Sequence, residues 1–216
     1  MNDKIEVNFV PFIFFYKIYN KKKNDAKQLI EMTKNILKKN IDDSYYYQYI
    51  HLYNSNLNKS YYLSVKNPQI TKYEGELIFG QIFYTGKKMK EKIGFDKKDK
   101  IFQLHSFGTI YHGQSLGTLG LQIIFYYMKR LGAKCLWLYT NKGNKNANEL
   151  YKRYMEEMKE SKYKKFFKYF REKKFEEFHD KYCEMVIDYY KKNKIKIQDE
   201  ITNKKLRKAI FYIKYF

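Results

Sequence analysis

Short apolar runs with strand-like composition occupy the first half of the chain. Segments rich in Val, Ile, Phe and Tyr predict strands at 61–65, 76–84 and 101–107. A turn-rich segment with Asn67, Pro68 and Gly75 joins the first two, so we expect an antiparallel pair there. Residues 4–19 predict another extended segment, in which Pro11 favours an edge or a bulge.

Helical spacing of apolar residues begins after residue 115. One helical stripe contains Leu116, Gly120, Ile123, Ile124, Tyr127 and Leu131, and Gly132 follows it as a C-terminal cap. Residues 134–140 predict a buried strand, parallel to 101–107 if the helix is a crossover. Asn144 begins a second helix, whose predicted inner face holds Ala147, Leu150 or Tyr151, Tyr154 and Met158.

The remaining segments complete an α/β fold with a mixed sheet and helices on both faces. Two helices are predicted within 24–53, and the charged stretch 86–100 is interpreted as a solvated loop, with a basic binding loop as the alternative. Residues 163–170 fit a strand or a helix, and 181–190 fit a strand. The spacing of Ile201, Leu206, Ile210 and Ile213 predicts a terminal helix. We therefore expect one domain over 1–190, with a helical extension over 191–216 packed on it.

Charge and composition narrow the classes of function only slightly. The chain has 216 residues, 44% of them hydrophobic, which excludes global disorder, and its net charge is +21. Such a charge favours an anionic partner or cofactor, although enrichment in Lys, Asn, Ile, Tyr and Phe also fits a general compositional bias. The lysines are spread along the whole chain, which favours the bias over a dedicated nucleic-acid arm.

Cysteine and histidine usage predicts neither a disulfide nor a metal site. Cys135 and Cys183 are isolated in apolar runs, which fits small core residues in a reducing, cytoplasmic compartment. The four histidines show no metal-binding spacing. The apolar stretch 7–19 is too short to span a bilayer, which takes about 20 residues. We expect a buried first strand there, with a membrane-surface anchor as the alternative.

A glycine-rich turn links the predicted strand 101–107 to the helix after residue 115. It reads His112-Gly113-Gln114-Ser115-Leu116-Gly117, and it presents backbone N–H groups and a helix N-terminus to an anion. The second helix carries Asn144, Ala147 and Tyr151 in an Asn-x-x-Ala-x-x-x-Tyr pattern. Together these motifs resemble the cofactor-binding core of the GNAT superfamily of CoA-dependent N-acetyltransferases. His112 and Ser115 depart from the family pattern, which has Arg or Gln and Gly there.

The resemblance implies a role for each matched residue. It implies two splayed parallel strands at the CoA site, with the end of the first strand holding the thioester. The cofactor-binding residues would be Phe107, Gly108, Thr109, His112, Gly113, Gln114, Ser115, Leu116, Gly117, Thr118, Asn144, Ala147 and Tyr151. Tyr151 would also be the general acid that protonates the departing CoA thiolate. His105 is the candidate general base by its pKa, with Glu76 second and a water chain as the alternative.

The resulting hypothesis is transfer of an acetyl or short acyl group from acetyl-CoA, as co-substrate, to an amine. The acceptor stays open among small molecules, protein amines and aminoacyl-tRNA, and a homodimer paired through a C-terminal strand is compatible with the family. The first alternative is a catalytically silent relative that binds RNA or protein. The second is a peripheral membrane or nucleic-acid-binding protein that matches the motifs by chance.

Overall fold

The computed structural model describes residues 6–11, 59–66, 77–109, 115–172 and 208–216. Within them the strands are β1 (Glu6–Pro11), β2 (Tyr61–Lys66), β3 (Ile78–Tyr84), β4 (Ile101–Thr109), β5 (Cys135–Asn141), β6 (Glu156–Glu157) and β7 (Ala209–Tyr215). The helices are α1 (Lys87–Ile93), α2 (Leu116–Arg130), α3 (Lys145–Tyr154) and α4 (Lys164–Glu172). This alternation confirms the predicted α/β class. The chain divides into two compact units, Met1–Thr85 with Phe102–Lys134 and Phe216, and Gly86–Ile101 with Cys135–Tyr215.

The first unit is an antiparallel meander covered by α2. Strand β1 pairs with β2, β2 with β3, and β3 with β4, all antiparallel, which confirms the pairing expected of the two strands after residue 60. Four consecutive residues of β2 are buried, and Ile124 of α2 lies close to Gly80 of β3. Helix α2 ends as predicted, because Gly132 takes the left-handed conformation at φ 68°.

Strand β1 differs from the buried strand that its composition predicted. Glu6, Val7 and Asn8 are exposed, and Val7 keeps 40% of its accessible surface. Within the described residues β1 pairs with β2 alone, and Phe9 stacks on Tyr61 and Tyr127 while the three residues before it stay in contact with solvent. The edge position suggested by Pro11 is therefore consistent with the pairing.

The second unit places β7 between β5 and β6, with all its described pairs antiparallel. One face of these strands packs into an aromatic core that includes Trp137, Phe166, Phe211 and Ile213. Phe166 of α4 is fully buried, 5.6 Å from Trp137 and 5.1 Å from Phe211 between ring centroids. The segment 163–170, left open by the sequence, is helical from Lys164, because that spacing turns Phe166 and Phe170 toward the same core.

The predicted terminal helix is wrong over its described part. Residues Ala209–Tyr215 form β7, whose Phe211, Tyr212 and Ile213 are all buried. The apolar spacing that suggested a helix also fits a strand with both faces covered, and pairing with β5 decides the outcome. The predicted domain limit at 190, the helices at 24–53 and the strand at 181–190 lie outside the described residues. The parallel relation between 101–107 and 134–140 stays a prediction.

The charged stretch 86–100 is not the solvated loop that was expected. It contains α1, which ends at Gly94 in the left-handed conformation, and Lys90 of this helix is 1% exposed. The Lys90 ammonium donates hydrogen bonds to the backbone carbonyls of Lys97, at 3.1 Å, and Asp99. A buried ammonium must be surrounded by acceptors, so this lysine folds the segment after α1 back onto the helix.

No helix in the described ranges has the length and apolarity needed to cross a membrane.

Candidate functional site

A β-bulge interrupts β4 at His105. Gln81 of β3 pairs with Ser106, whereas the next residue, Ile82, pairs with Leu104, so His105 is the extra residue. Its ring meets that of Phe83 edge-on, with centroids 5.7 Å apart. Burial lowers the pKa of His105 to about 3, because the charged imidazolium loses its hydration there. The imidazole is therefore neutral at physiological pH.

The end of β4 is shaped by two glycine contacts. A Cβ on Gly108 would stand 2.5 Å from Cε1 of Phe79, so the aromatic ring occupies the space of a side chain. A Cβ on Gly120 of α2 would stand 2.8 Å from Cε2 of Phe107. The first contact brings β4 close to the Phe79 ring of β3, and the second brings α2 close to the Phe107 ring of β4. Thr109, the last residue of β4, pairs with Ile78.

The turn between β4 and α2 is described only from Ser115 onward, so His112, Gly113 and Gln114 lie outside the described residues. Ser115 adopts the left-handed conformation, with φ 56° and ψ 10°, and its side chain makes no capping hydrogen bond to α2. The first turn of α2, with Leu116, Gly117 and Thr118, contains no acidic residue. Its N–H groups and the helix dipole favour an anion.

A second group of candidate residues lies on α3. Asn144 caps the helix, accepting a hydrogen bond from the backbone N–H of Ala147 at 3.2 Å, as the sequence predicted. Tyr151 is 7% exposed, and its ring lies 5.6 Å from that of Tyr212 on β7. Burial, reinforced by Tyr212, raises the pKa of Tyr151 well above its ordinary value, so the phenol is protonated at physiological pH.

Sequence reasoning missed Asn148 and Tyr212. Asn148 is buried on the inner side of α3, one turn after Asn144, and accepts a hydrogen bond from the Tyr212 hydroxyl at 2.8 Å. A signal was available for Asn148, because a polar residue at helical spacing between Asn144 and Tyr151 must face the same side. No local signal identified Tyr212, because the sequence predicted a helix where this residue lies in strand β7.

Solved structures provide the matches to this chain, and acetyltransferases are among them. Neither a protein-family model nor a curated protein matches it. Arabidopsis thaliana NAA60 in complex with acetyl-CoA is 14% identical over 71% of this chain and 86% of its own, with a TM-score of 0.42. A GNAT-family protein from Desulfovibrio desulfuricans is 9% identical over 72% and 87%, with a TM-score of 0.44. An Elizabethkingia anophelis GNAT acetyltransferase with acetyl-CoA bound is 12% identical over 74% and 80%, with a TM-score of 0.38. This chain is similar to GNAT acetyltransferases of known structure.

Proposed function

We propose that this protein transfers an acetyl or other short acyl group from acetyl-CoA to a primary amine. The observation that carries the proposal is the construction of α3. Asn144 caps this helix and Tyr151 lies buried and protonated two turns later, in the order that the resemblance to GNAT enzymes requires. Because the chain contains 24 tyrosines, the sequence pattern alone was also compatible with a chance match to the family motif.

Acetyl-CoA brings a strongly anionic pyrophosphate, and the first turn of α2 fits such a group. The Ser115 side chain does not cap the N–H groups of Leu116, Gly117 and Thr118, and the first turn contains no acidic residue. Ser115 has a left-handed rather than a helical conformation, so the chain changes direction at this residue as it enters α2. A backbone N–H group at a helix N-terminus is a donor for a phosphate oxygen, and the net charge of +21 favours the anion at longer range.

The proposed reaction forms one bond to carbon and breaks another. The acceptor nitrogen attacks the thioester carbonyl carbon, a C–N bond forms, and the C–S bond breaks with the electron pair leaving on sulfur. The acceptor ammonium loses one proton to solvent before the attack, and Tyr151 donates its phenolic proton to the sulfur. The nitrogen releases its second proton as the amide forms, and a proton from solvent restores the phenol. The backbone N–H of Phe107 would polarise the carbonyl oxygen, a contribution of about 3 kcal/mol for one such donor.

His105 is disfavoured as the general base. A base must hold a proton taken from an ammonium group, and the pKa of about 3 makes this imidazole a weak acceptor. Because His105 is the bulged residue of β4, its geometric effect on the strand end is the better explanation of its position. A chain of water molecules is then the proposed route for the acceptor proton. The acceptor class stays as open as the sequence left it, from small amines to protein amines and aminoacyl-tRNA.

A thiol-release assay tests this function. Purified protein is mixed with acetyl-CoA and a panel containing a peptide with a free N-terminus, a lysine peptide, a polyamine and an aminoglycoside. We expect amine-dependent release of free CoA with at least one class, together with mass-spectrometric transfer of the acetyl group. Binding of CoA without transfer to any amine would contradict catalysis, and no binding at all would contradict the proposal as a whole.

A further inference from the structure

Asn148 of α3 uses both ends of its side-chain amide. Its Nδ2 atom points at the backbone carbonyl oxygens of Asn141, Lys142 and Asn144, at 2.8, 3.2 and 2.7 Å. Its Oδ1 atom accepts the hydrogen bond from the Tyr212 hydroxyl at 2.8 Å. The residue is 6% exposed, so these partners replace most of its contact with water.

The three carbonyl groups determine which way the amide faces. If the amide were turned over, Oδ1 would meet three carbonyl oxygens, and four acceptors would lie together without a donor. Oδ1 must therefore face Tyr212, and the Tyr212 hydroxyl must be the donor of that bond. Burial, with Glu157 nearby, raises the pKa of Tyr212 to about 12, which keeps this proton in place.

The bonds of Asn148 join the elements that carry the candidate site in the second unit. Asn144, Asn148 and Tyr151 follow one another at intervals of four and three residues, so they lie along one side of α3. The turn before the helix is held by the Nδ2 bonds, and the Tyr212 ring contacts the Tyr151 ring at 5.6 Å. One buried amide thus connects the capping residue, the helix and the strand behind Tyr151.

We infer that Asn148 and Tyr212 are the positioning residues of this site: they hold Asn144 and the phenol of Tyr151 in one fixed arrangement. The catalytic meaning of this inference rests on the proposed function, whereas the hydrogen-bonded arrangement itself does not. Neither residue needs to touch a substrate. The hydrogen bond to Asn148 holds the Tyr212 ring in position against the Tyr151 ring, and Asn148 acts on Asn144 through the turn.

A double-mutant cycle on the transfer rate tests the role of Tyr212. Tyr212→Phe keeps the ring and removes the donor, and loss of one such bond should lower kcat about tenfold while the KM for acetyl-CoA changes by less than about twofold. In a Tyr151→Phe background the same change should cost almost nothing more, because its effect passes through the lost phenol. Equal losses in both backgrounds would show that Tyr212 acts independently, and the inference would be wrong.

Tyr215→Phe is the matched control. It removes a tyrosine hydroxyl from the same strand, one that shares a 2.6 Å hydrogen bond with Tyr163. By strand alternation Tyr215 lies on the opposite face of β7 from Tyr212. We expect its kcat to equal that of the wild type. A kcat loss as large as that of Tyr212→Phe would mean that any deleted hydroxyl in β7 has this effect, which would contradict a specific positioning role.

Hydrogen exchange tests the arrangement without using activity. In the wild-type protein, the Nδ2 protons of Asn148 should exchange far more slowly than those of Asn146, an exposed asparagine on the same helix. Asn148→Asp should speed exchange of the Ala147 N–H, whereas Asn146→Asp should leave it unchanged. Fast exchange at Asn148 in the wild type would overturn the positioning claim. Slow exchange in a protein that binds no CoA would overturn the proposed function and leave the arrangement standing.

Discussion

Gly120 of α2 lies directly against the ring of Phe107 in β4. A Cβ on Gly120 would stand 2.8 Å from Cε2 of Phe107 and 2.6 Å from Cγ2 of Ile78. Both separations are shorter than real Cβ contacts, so no other residue fits without movement of the strand or the helix. This contact sets how closely α2 approaches the end of β4, where the proposal puts the thioester carbonyl.

Gly120→Ala should therefore lower the free energy of unfolding, by about 1–3 kcal/mol. Alanine is favoured over glycine inside a helix by about 1 kcal/mol. Helix propensity alone would therefore make Gly120→Ala stabilising, whereas a clash with Phe107 and Ile78 makes it destabilising. Urea denaturation measures it, and Gln122→Ala, at an exposed position of the same helix, is the control. An increase in stability for Gly120→Ala would contradict the close packing.

The left-handed Ser115 makes a second prediction about backbone conformation. A non-glycine residue at φ 56° carries strain, and a β-branched residue carries more. We expect Ser115→Gly to be neutral or stabilising by up to about 1 kcal/mol, and Ser115→Val to destabilise by about 1–2 kcal/mol. Thr118→Gly, inside the helix, should be destabilising instead. The prediction fails if glycine costs the same at both positions, as measured by thermal unfolding.

The partly buried His105 should make stability depend on pH. Its folded pKa of about 3 lies below the ordinary value of 6.5, so between these values the unfolded chain binds one more proton. This contribution to stability is complete above about pH 6.5 and declines as the pH falls toward 3, by about 1.4 kcal/mol per pH unit. His105→Gln should remove that slope from the variant's own profile, so that the difference in stability between wild type and variant changes with pH between about 3 and 6.5. Parallel pH profiles would show that the ring is not buried.

Tyr151→Phe should lower kcat by about 100-fold, the contribution expected of a general acid, with little change in the KM for acetyl-CoA. Tyr154→Phe, three residues later on the same helix, is the matched control and should retain the wild-type kcat. Because the pKa of Tyr151 is raised, its ionisation should not lower the rate up to about pH 10. A Tyr151→Phe enzyme with the wild-type rate would exclude this tyrosine as the acid.

The sequence predicted the elements whose local signals agree with their surroundings. Asn144 and Gly132 were recognisable as caps because the conformations at helix ends select these residue types. Strands such as β3 and β5 were recognisable by long apolar runs. These signals depend on the nearest few residues and so survive in a single sequence.

The elements that were missed depend on distant partners. From the sequence, Lys90 is expected at the surface. Its burial depends on the carbonyl groups of Lys97 and Asp99, which lie seven and nine residues later. Ala209–Tyr215 becomes a strand because β5 and β6 pair with it, which its own apolar spacing did not reveal. The bulge at His105 is a relation between two strands, and the Asn148–Tyr212 bond joins residues 64 positions apart.

Binding of acetyl-CoA tests the central claim most directly. Titration calorimetry on the wild-type protein should give a saturable, one-site isotherm whose affinity falls as salt is added, because the phosphates meet backbone donors in a basic protein. Asn144→Ala should weaken the binding, and Asn146→Ala should not. Absence of heat and of any thermal stabilisation with either acetyl-CoA or CoA would contradict the account.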